Sequence, residues 1–160
     1  MVLPLAIIDL EDKCICDPEY LLQPRDLENW VVRNGPFPRG VFLVFKSGWA
    51  RRWPNHLCMR NADSTGKWRS PGWSVDAIQW ALTNTLPIAF GHETLDTDMG
   101  ALVQQARFPA EREILARDKW QIELLCNLER VPEAGSLAVV AFPNARGGTG
   151  FPARVFAVLP

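Results

Sequence analysis

The sequence is short of the features that would take it out of the class of ordinary globular domains. No apolar run approaches the roughly 20 residues needed to cross a bilayer. Its 17 basic and 18 acidic residues leave a net charge of −1, too balanced to argue for nucleic acid or an anionic membrane as partner. Only two histidines occur, His56 and His92, so a metal centre built mainly from imidazole has little to draw on. The opening Met1-Val2-Leu3-Pro4-Leu5-Ala6 lacks the basic leader and apolar stretch of a signal peptide. Four cysteines are expected to be free and mostly buried, with Cys14 and Cys16 facing opposite ways in an extended segment. These absences point to a cytoplasmic chain.

What is present is enough for a core. Hydrophobic residues make up 48% of 160, and no linker, repeat or low-complexity tract divides the chain, so residues 1–160 are read as one domain. Leu5–Leu10 is a buried strand by its apolar run. Leu27, Trp30 and Val31 recur at helical spacing over Arg25–Arg33, with Asn34-Gly35 as the stop. Val41–Phe45 has the unbroken apolar character of a central strand. A long irregular segment, Lys46 to Trp73, follows. Ser74 is an N-cap for a helix carrying Ile78, Ala81 and Leu82. Pro87–Gly91 is a third strand, and Pro109 starts a helix over Ala110–Arg117 with Ile114 and Leu115 inward. Leu137–Phe142 and Arg154–Leu159 complete the strands. Alternating strands and helices predict an α/β domain with a mixed sheet.

Six blocks in order carry a resemblance. They are Ala6-Ile7-Ile8-Asp9-Leu10 with Asp12-Lys13; Gly40 to Trp49, ending Lys46-Ser47-Gly48-Trp49; Ser70-Pro71-Gly72-Trp73-Ser74 with Trp80-Ala81-Leu82; Phe90-Gly91 through Thr94-Leu95 and Asp98; Ile122-Glu123-Leu124 with Asn127-Leu128; and Gly150-Phe151-Pro152-Ala153-Arg154. Together they resemble the metal-dependent cyclase family that includes arylformamidases (kynurenine formamidases) and isatin hydrolases. The resemblance implies a swivelling β/β/α-type fold, a mixed sheet or half-barrel packed by helices. In that family a His-x-x-x-His-x-Asp motif upstream of the first block holds zinc or manganese, which polarises an amide carbonyl. Here Met1 stands directly before that block, so the chain is expected to be a truncated cyclase-like domain without the motif. Glu111 stands where the family has a catalytic His, Arg69 where a His precedes Pro-Gly, and Lys46 where Arg is frequent. Glu123 matches the family's functional Glu.

Several candidate sites follow. Glu123 and Glu111 are candidate catalytic carboxylates, able to act as an acid–base pair if the fold brings them together. Arg154 or Arg69 is a possible ion partner for Glu123. Trp49, Trp73, Arg69 and Arg154 are candidate ligand-binding residues, in a pocket between the Trp49 loop and the Gly147-Gly148 loop. His92, Asp96 and Asp98 repeat the offsets of the absent motif and form the weaker metal alternative, against a solvated loop whose Asp residues cap turns. Asp9-Leu10-Glu11-Asp12 is read as a solvated charge cluster, and Cys126 as a core thiol.

The leading expectation is a catalytically degenerate, cyclase-like protein that binds a small aromatic or amide-bearing ligand and needs no cofactor. The alternatives are an amide hydrolase whose zinc or manganese site is atypical or supplied by a partner, and an oligomeric scaffold. A homo-oligomer is expected in each case, because an unpaired sheet edge needs cover.

Overall fold

The apolar runs become six strands of one sheet in the computed structural model, which describes Met1–Pro160. They are β1 (Val2–Asp9), β3 (Phe42–Lys46), β5 (Ala89–His92), β6 (Trp120–Ile122), β7 (Leu137–Ala141) and β8 (Arg154–Val158), in the order β6-β5-β3-β1-β7-β8. β1, β3, β5 and β6 run parallel, and β7 and β8 join as an antiparallel limb. The sheet is mixed and curled into a half-barrel packed by helices. A second, two-residue ladder pairs β2 (Leu21–Leu22) with β4 (Gly72–Trp73).

The helices are α1 (Glu11–Cys16), α2 (Pro24–Asn34), α3 (His56–Arg60), α4 (Val75–Asn84), α5 (Gly100–Val103) and α6 (Pro109–Ala116). Pro24 occupies the first turn of α2, where its missing N–H costs nothing. Asp26 reaches back to the Gln23 N–H at 2.8 Å to close a capping box. Ser74 Oγ accepts from the Ala77 N–H at 3.1 Å, capping α4 as its sequence predicts. None of the helices is long and apolar enough to cross a membrane.

Alternation along the strands divides the core in two. Ala6, Ile8, Leu43, Phe45 and Phe90 face α2, α4 and α6. Leu5, Ile7, Phe42, Val44 and Ala89 face the other way, towards Leu125, Leu128, Ala138 and Val140. Trp30 lies in the helix-side cluster, its Nε1 donating to the Ile7 carbonyl of β1 at 3.0 Å.

Five expectations are corrected. Glu11–Cys16 is a helix, not a solvated charge cluster in an extended stretch: Leu10 and Cys14 are buried, and Glu11 pairs with Arg51 and Lys46. The irregular segment contains a 3₁₀ turn (Trp49–Arg52), α3 and β4. Leu115 is 52% exposed, since only Ile114 points inward and its neighbour lies about 100° round the helix. Trp120–Ile122 forms the edge strand β6, which no long apolar run announces. Only Cys14 is buried; Cys16, Cys58 and Cys126 are exposed thiols.

Candidate functional site

Three loops meet at the C-terminal ends of the parallel strands, where ligand sites form in open α/β sheets. Each is short of regular backbone partners, and side chains tie them together. The loop after β3, Ser47-Gly48-Trp49, is held by Glu93 from the loop after β5. One carboxylate oxygen of Glu93 accepts from the Ser47 N–H (2.8 Å), the Ser47 hydroxyl (3.2 Å) and the Trp49 N–H (3.1 Å). Burial raises the Glu93 carboxyl, and these donors oppose the rise. Gly48 turns the loop at φ +73°, and a Cβ there would meet Glu11 at 2.9 Å.

The segment from His92 to Asp98 is not a solvated loop. His92, Glu93, Thr94, Thr97 and Asp98 are each no more than 2% exposed. It is buried because its polar groups satisfy one another. The His92 ring nitrogens lie 2.9 Å from the Thr94 hydroxyl and 3.1 Å from the Thr97 hydroxyl. Burial pushes the imidazole down to about 4, so it is neutral. Thr97 also donates to Gln121 of β6. Asp98 does cap, but across the chain: its two oxygens accept from the Ala110 and Glu111 N–H groups at 2.8 and 3.0 Å, at the start of α6.

That cap brings Glu111 beside two other carboxylates. Asp96 is pushed up to about 6 by burial, then by Glu111 and Asp98. Glu123, the first residue after β6, is pushed up to about 7 by burial, then by Asp96 and Glu111. The backbone beyond it is pinned where the Leu124 N–H meets the Thr94 carbonyl (3.2 Å) and the Leu125 N–H the His92 carbonyl (3.0 Å). Glu123 is exposed at one side and stands at one end of a cavity of about 410 Å³. The remaining wall is mostly apolar and includes Phe42, Val44, Leu125, Leu128 and Val155. Like charges this close disfavour full ionisation, so the site can offer both a carboxylic acid and a carboxylate near neutral pH.

The structure therefore unites Glu111 and Glu123, but not the four ligand-binding candidates. Trp49 is buried, its Nε1 donating to the Met59 carbonyl at 2.8 Å and its ring under Arg52 at 3.9 Å. Trp73 is buried on the helix side, edge-on to Phe45 and Phe90. Arg69 binds Glu19 at 3.1 Å. Arg154 is exposed at the start of β8, on the face away from the cavity. None of the four lines the cavity, and neither arginine pairs with Glu123. The physical reason is strand parity and core demand: the large indoles fill the core, and Arg154 alternates outward between Ala153 and Val155.

Zinc or manganese is the group that the family resemblance implies. In this chain both nitrogens of His92 are engaged by threonines and Asp98 by α6, so His92, Asp96 and Asp98 do not assemble. No three His, Cys, Asp or Glu side chains are grouped to hold a metal ion. These residues do not complete such a centre by themselves. The Glu93 clamp on the Ser47–Trp49 loop and the crowding of Glu123 by Asp96 are the features of the candidate site that the sequence reading missed. The available signal was an acidic block directly after a strand that ends at the expected ligand edge.

Comparison with known proteins bears on the fold and the lineage. The family profile described as putative cyclase matches residues 1–99. An isatin hydrolase of Roseibium aggregatum is 30% identical over 162 residues, covering 100% of this chain and 60% of the relative. A crystal structure of an isatin hydrolase bound to the product analogue thioisatinate superposes with a TM-score of 0.91 at 28% identity, over 99% of this chain and 60% of that one. Isatin hydrolase A from Labrenzia aggregata, bound to benzyl benzoate, gives 0.89 at 25% identity, over 99% and 61%. The chain thus spans about 60% of the length of these relatives.

Proposed function

The chain belongs to the putative cyclase family, and from that premise we propose that it binds a small aromatic amide in the cavity beside Glu123, as a binding site rather than a turnover site. The observation that carries this is the place of Glu123 on the wall of a mostly apolar cavity that Asn127 and Arg130 also line, with its carboxyl raised to about 7 by burial and by Asp96 and Glu111. An aromatic ring gains from burial against Phe42, Leu125 and Val155. The protonated Glu123 donates to the amide carbonyl. Two of the similar isatin hydrolases are described with aromatic molecules bound, which supports the aromatic half of the reading. Glu123 supports the other half, because with its acidic neighbours it disfavours a ligand carboxylate placed beside it and tolerates a neutral amide, while the one cation of the wall, Arg130, stands elsewhere along the cavity.

Calorimetry with acetanilide and benzoate tests this. Acetanilide is expected to bind more tightly than benzoate, to weaken as pH rises through the Glu123 titration, and to lose most of its affinity in Glu123→Ala. Equal or better binding of benzoate, or an unchanged Glu123→Ala, would reject the assignment. A second reading, hydrolysis of the same amide, is favoured by the same titration near neutrality, which suits a general acid or base. Chromatographic appearance of aniline at a rate that Glu123→Gln abolishes would replace binding by turnover.

A further inference from the structure

Two successive backbone N–H groups aim the same way just beyond the end of β6. The Leu124 N–H donates to the Thr94 carbonyl at 3.2 Å, and the Leu125 N–H to the His92 carbonyl at 3.0 Å. In an extended chain successive N–H groups point to opposite edges, so the residue between these two cannot be extended. That residue is Leu124, and its φ is +56°. The left-handed region is ordinary for glycine and tolerated by asparagine, but costly for a bulky apolar side chain. Asn127, at φ +61° in the same loop, is of the tolerated kind. Leu124 is not.

Backbone strain of this sort persists only where the surroundings over-determine it, and it collects at functional positions. The surroundings here are specific. Leu125 is buried against Gly91 of β5, where a Cβ would meet the Leu125 Cδ1 at 2.7 Å. The bare backbone of Gly91 therefore lets the loop close onto the strand, and the two hydrogen bonds lock it there. The result appears on the cavity side. Ile122 to Leu128 line the cavity without a gap, whereas a chain continuing β6 would present only alternate residues to it. Glu123 stands at the corner of this turn, and the peptide group that joins it to Leu124 is the one pinned to Thr94.

We propose that Leu124 is the positioning residue of the candidate site: its left-handed backbone, rather than its side chain, turns the chain at Glu123 and holds that carboxyl at the cavity wall. The Leu124 side chain also lines the cavity and is 38% exposed, so a role in packing is the competing explanation. The two make opposite demands on the residue. Packing needs an apolar side chain of leucine's size, and the turn needs a residue that accepts positive φ. What this means for a ligand rests on the binding proposed above; the geometry of the turn does not.

Three substitutions separate backbone from side chain. Leu124→Gly and Leu124→Asn discard the apolar contact but accept the left-handed turn, while Leu124→Val keeps an apolar side chain and, being β-branched, opposes the turn. Carbon-detected titration of Glu123 needs no ligand. It should stay near 7 in the glycine and asparagine variants, as in the unsubstituted chain, and fall towards the ordinary carboxylate range in the valine variant. Calorimetry with acetanilide should place the first two within about fivefold of the unsubstituted chain and the valine variant more than about tenfold weaker. A packing role predicts the reverse order, with valine the mildest change. If Leu124→Val fails to fold, Leu124→Ala replaces it: alanine keeps more of the side chain than glycine, yet should bind more weakly and titrate Glu123 lower than Leu124→Gly does. A Glu123 titration unmoved by Leu124→Val, or moved as far by Leu124→Gly and Leu124→Asn, would overturn the assignment. Failure of the unsubstituted chain to bind acetanilide would instead reject the binding reading, and the titration would still decide the role of Leu124.

Discussion

The two limbs of the sheet are made of the same kind of residue and end in different surroundings. In the parallel limb, Leu43, Phe45 and Phe90 are closed over by α2, α4 and α6, while Phe42 and Val44 are closed over from the other side. In the antiparallel limb, Leu137, Phe156 and Val158 project from the helix-bearing side with no helix over them. Apolarity made both into strands, but burial depends on what the connections supply. The parallel strands are joined by helices that must lie on a face. β7 and β8 are joined by residues 142–153, which contain no helix or strand. Energetic weight should therefore be concentrated in the first limb, and the acidic site sits where its strands end.

The sharpest contrast is between two aromatic truncations. Trp73→Ala removes a fully buried indole that packs edge-on to Phe45 and Phe90, with centroids 6.1 and 5.3 Å away. Losses of this kind run at about 3–5 kcal/mol. Phe156→Ala, at a side chain that is half exposed, should change stability by no more than about 0.5 kcal/mol. Urea denaturation measures both, and similar losses would mean that the open limb is not open. Trp73→Phe sharpens the point. The Trp73 Nε1 is buried without a hydrogen-bond partner, so phenylalanine sheds an orphaned donor as well as ring area and should cost far less than alanine.

A smaller effect is expected at the cap that joins the parallel limb to the acidic site. Asp98→Ala leaves the Ala110 and Glu111 N–H groups without their acceptor and should cost about 1–2 kcal/mol. Because Asp98 also holds Glu111 in the cluster, the variant should let the Glu123 carboxyl fall back towards its ordinary range. A carbon-detected titration of Glu123 separates this from simple destabilisation. An unmoved Glu123 titration would make Asp98 a helix cap and nothing more.

How far the sequence carried the argument follows the same division. The strands, α2, α4 and α6 were legible because apolar period and capping chemistry are local. The order of blocks led to the family, and Glu123 and Glu111 were found through it. The burial of His92–Asp98 was not legible, because a segment with six polar residues of seven resembles a solvated loop until their partners, Thr97 with Gln121 and Asp98 with α6, are known. Trp49 and Trp73 were misplaced for a related reason: a large aromatic in an irregular segment reads equally as pocket wall or core. Arg154 was misplaced by one step of strand parity, which no block of the sequence marks.

The last expectation is the smallest in energy and bears most directly on the site. Glu123 has a carboxyl raised from 4.5 to about 7 by burial and by Asp96 and Glu111. The folded state therefore holds its proton more tightly than the unfolded chain does, and stability falls as pH rises from the unfolded value through the folded one. Asp96, raised to about 6, contributes with the same sign. Glu123→Gln keeps the shape and removes the charge, so its melting temperature should vary less between about pH 5 and about pH 8 than that of the unsubstituted chain. At the alkaline end the variant should be the more stable of the two. Phe156→Ala, on the open limb and away from the carboxylates, should leave the pH profile of the melting temperature unchanged. If Glu123→Gln instead tracks the unsubstituted chain across this range, the crowding of Glu123 by Asp96 and Glu111 is not what sets its protonation, and the acidic end of the cavity loses its physical basis.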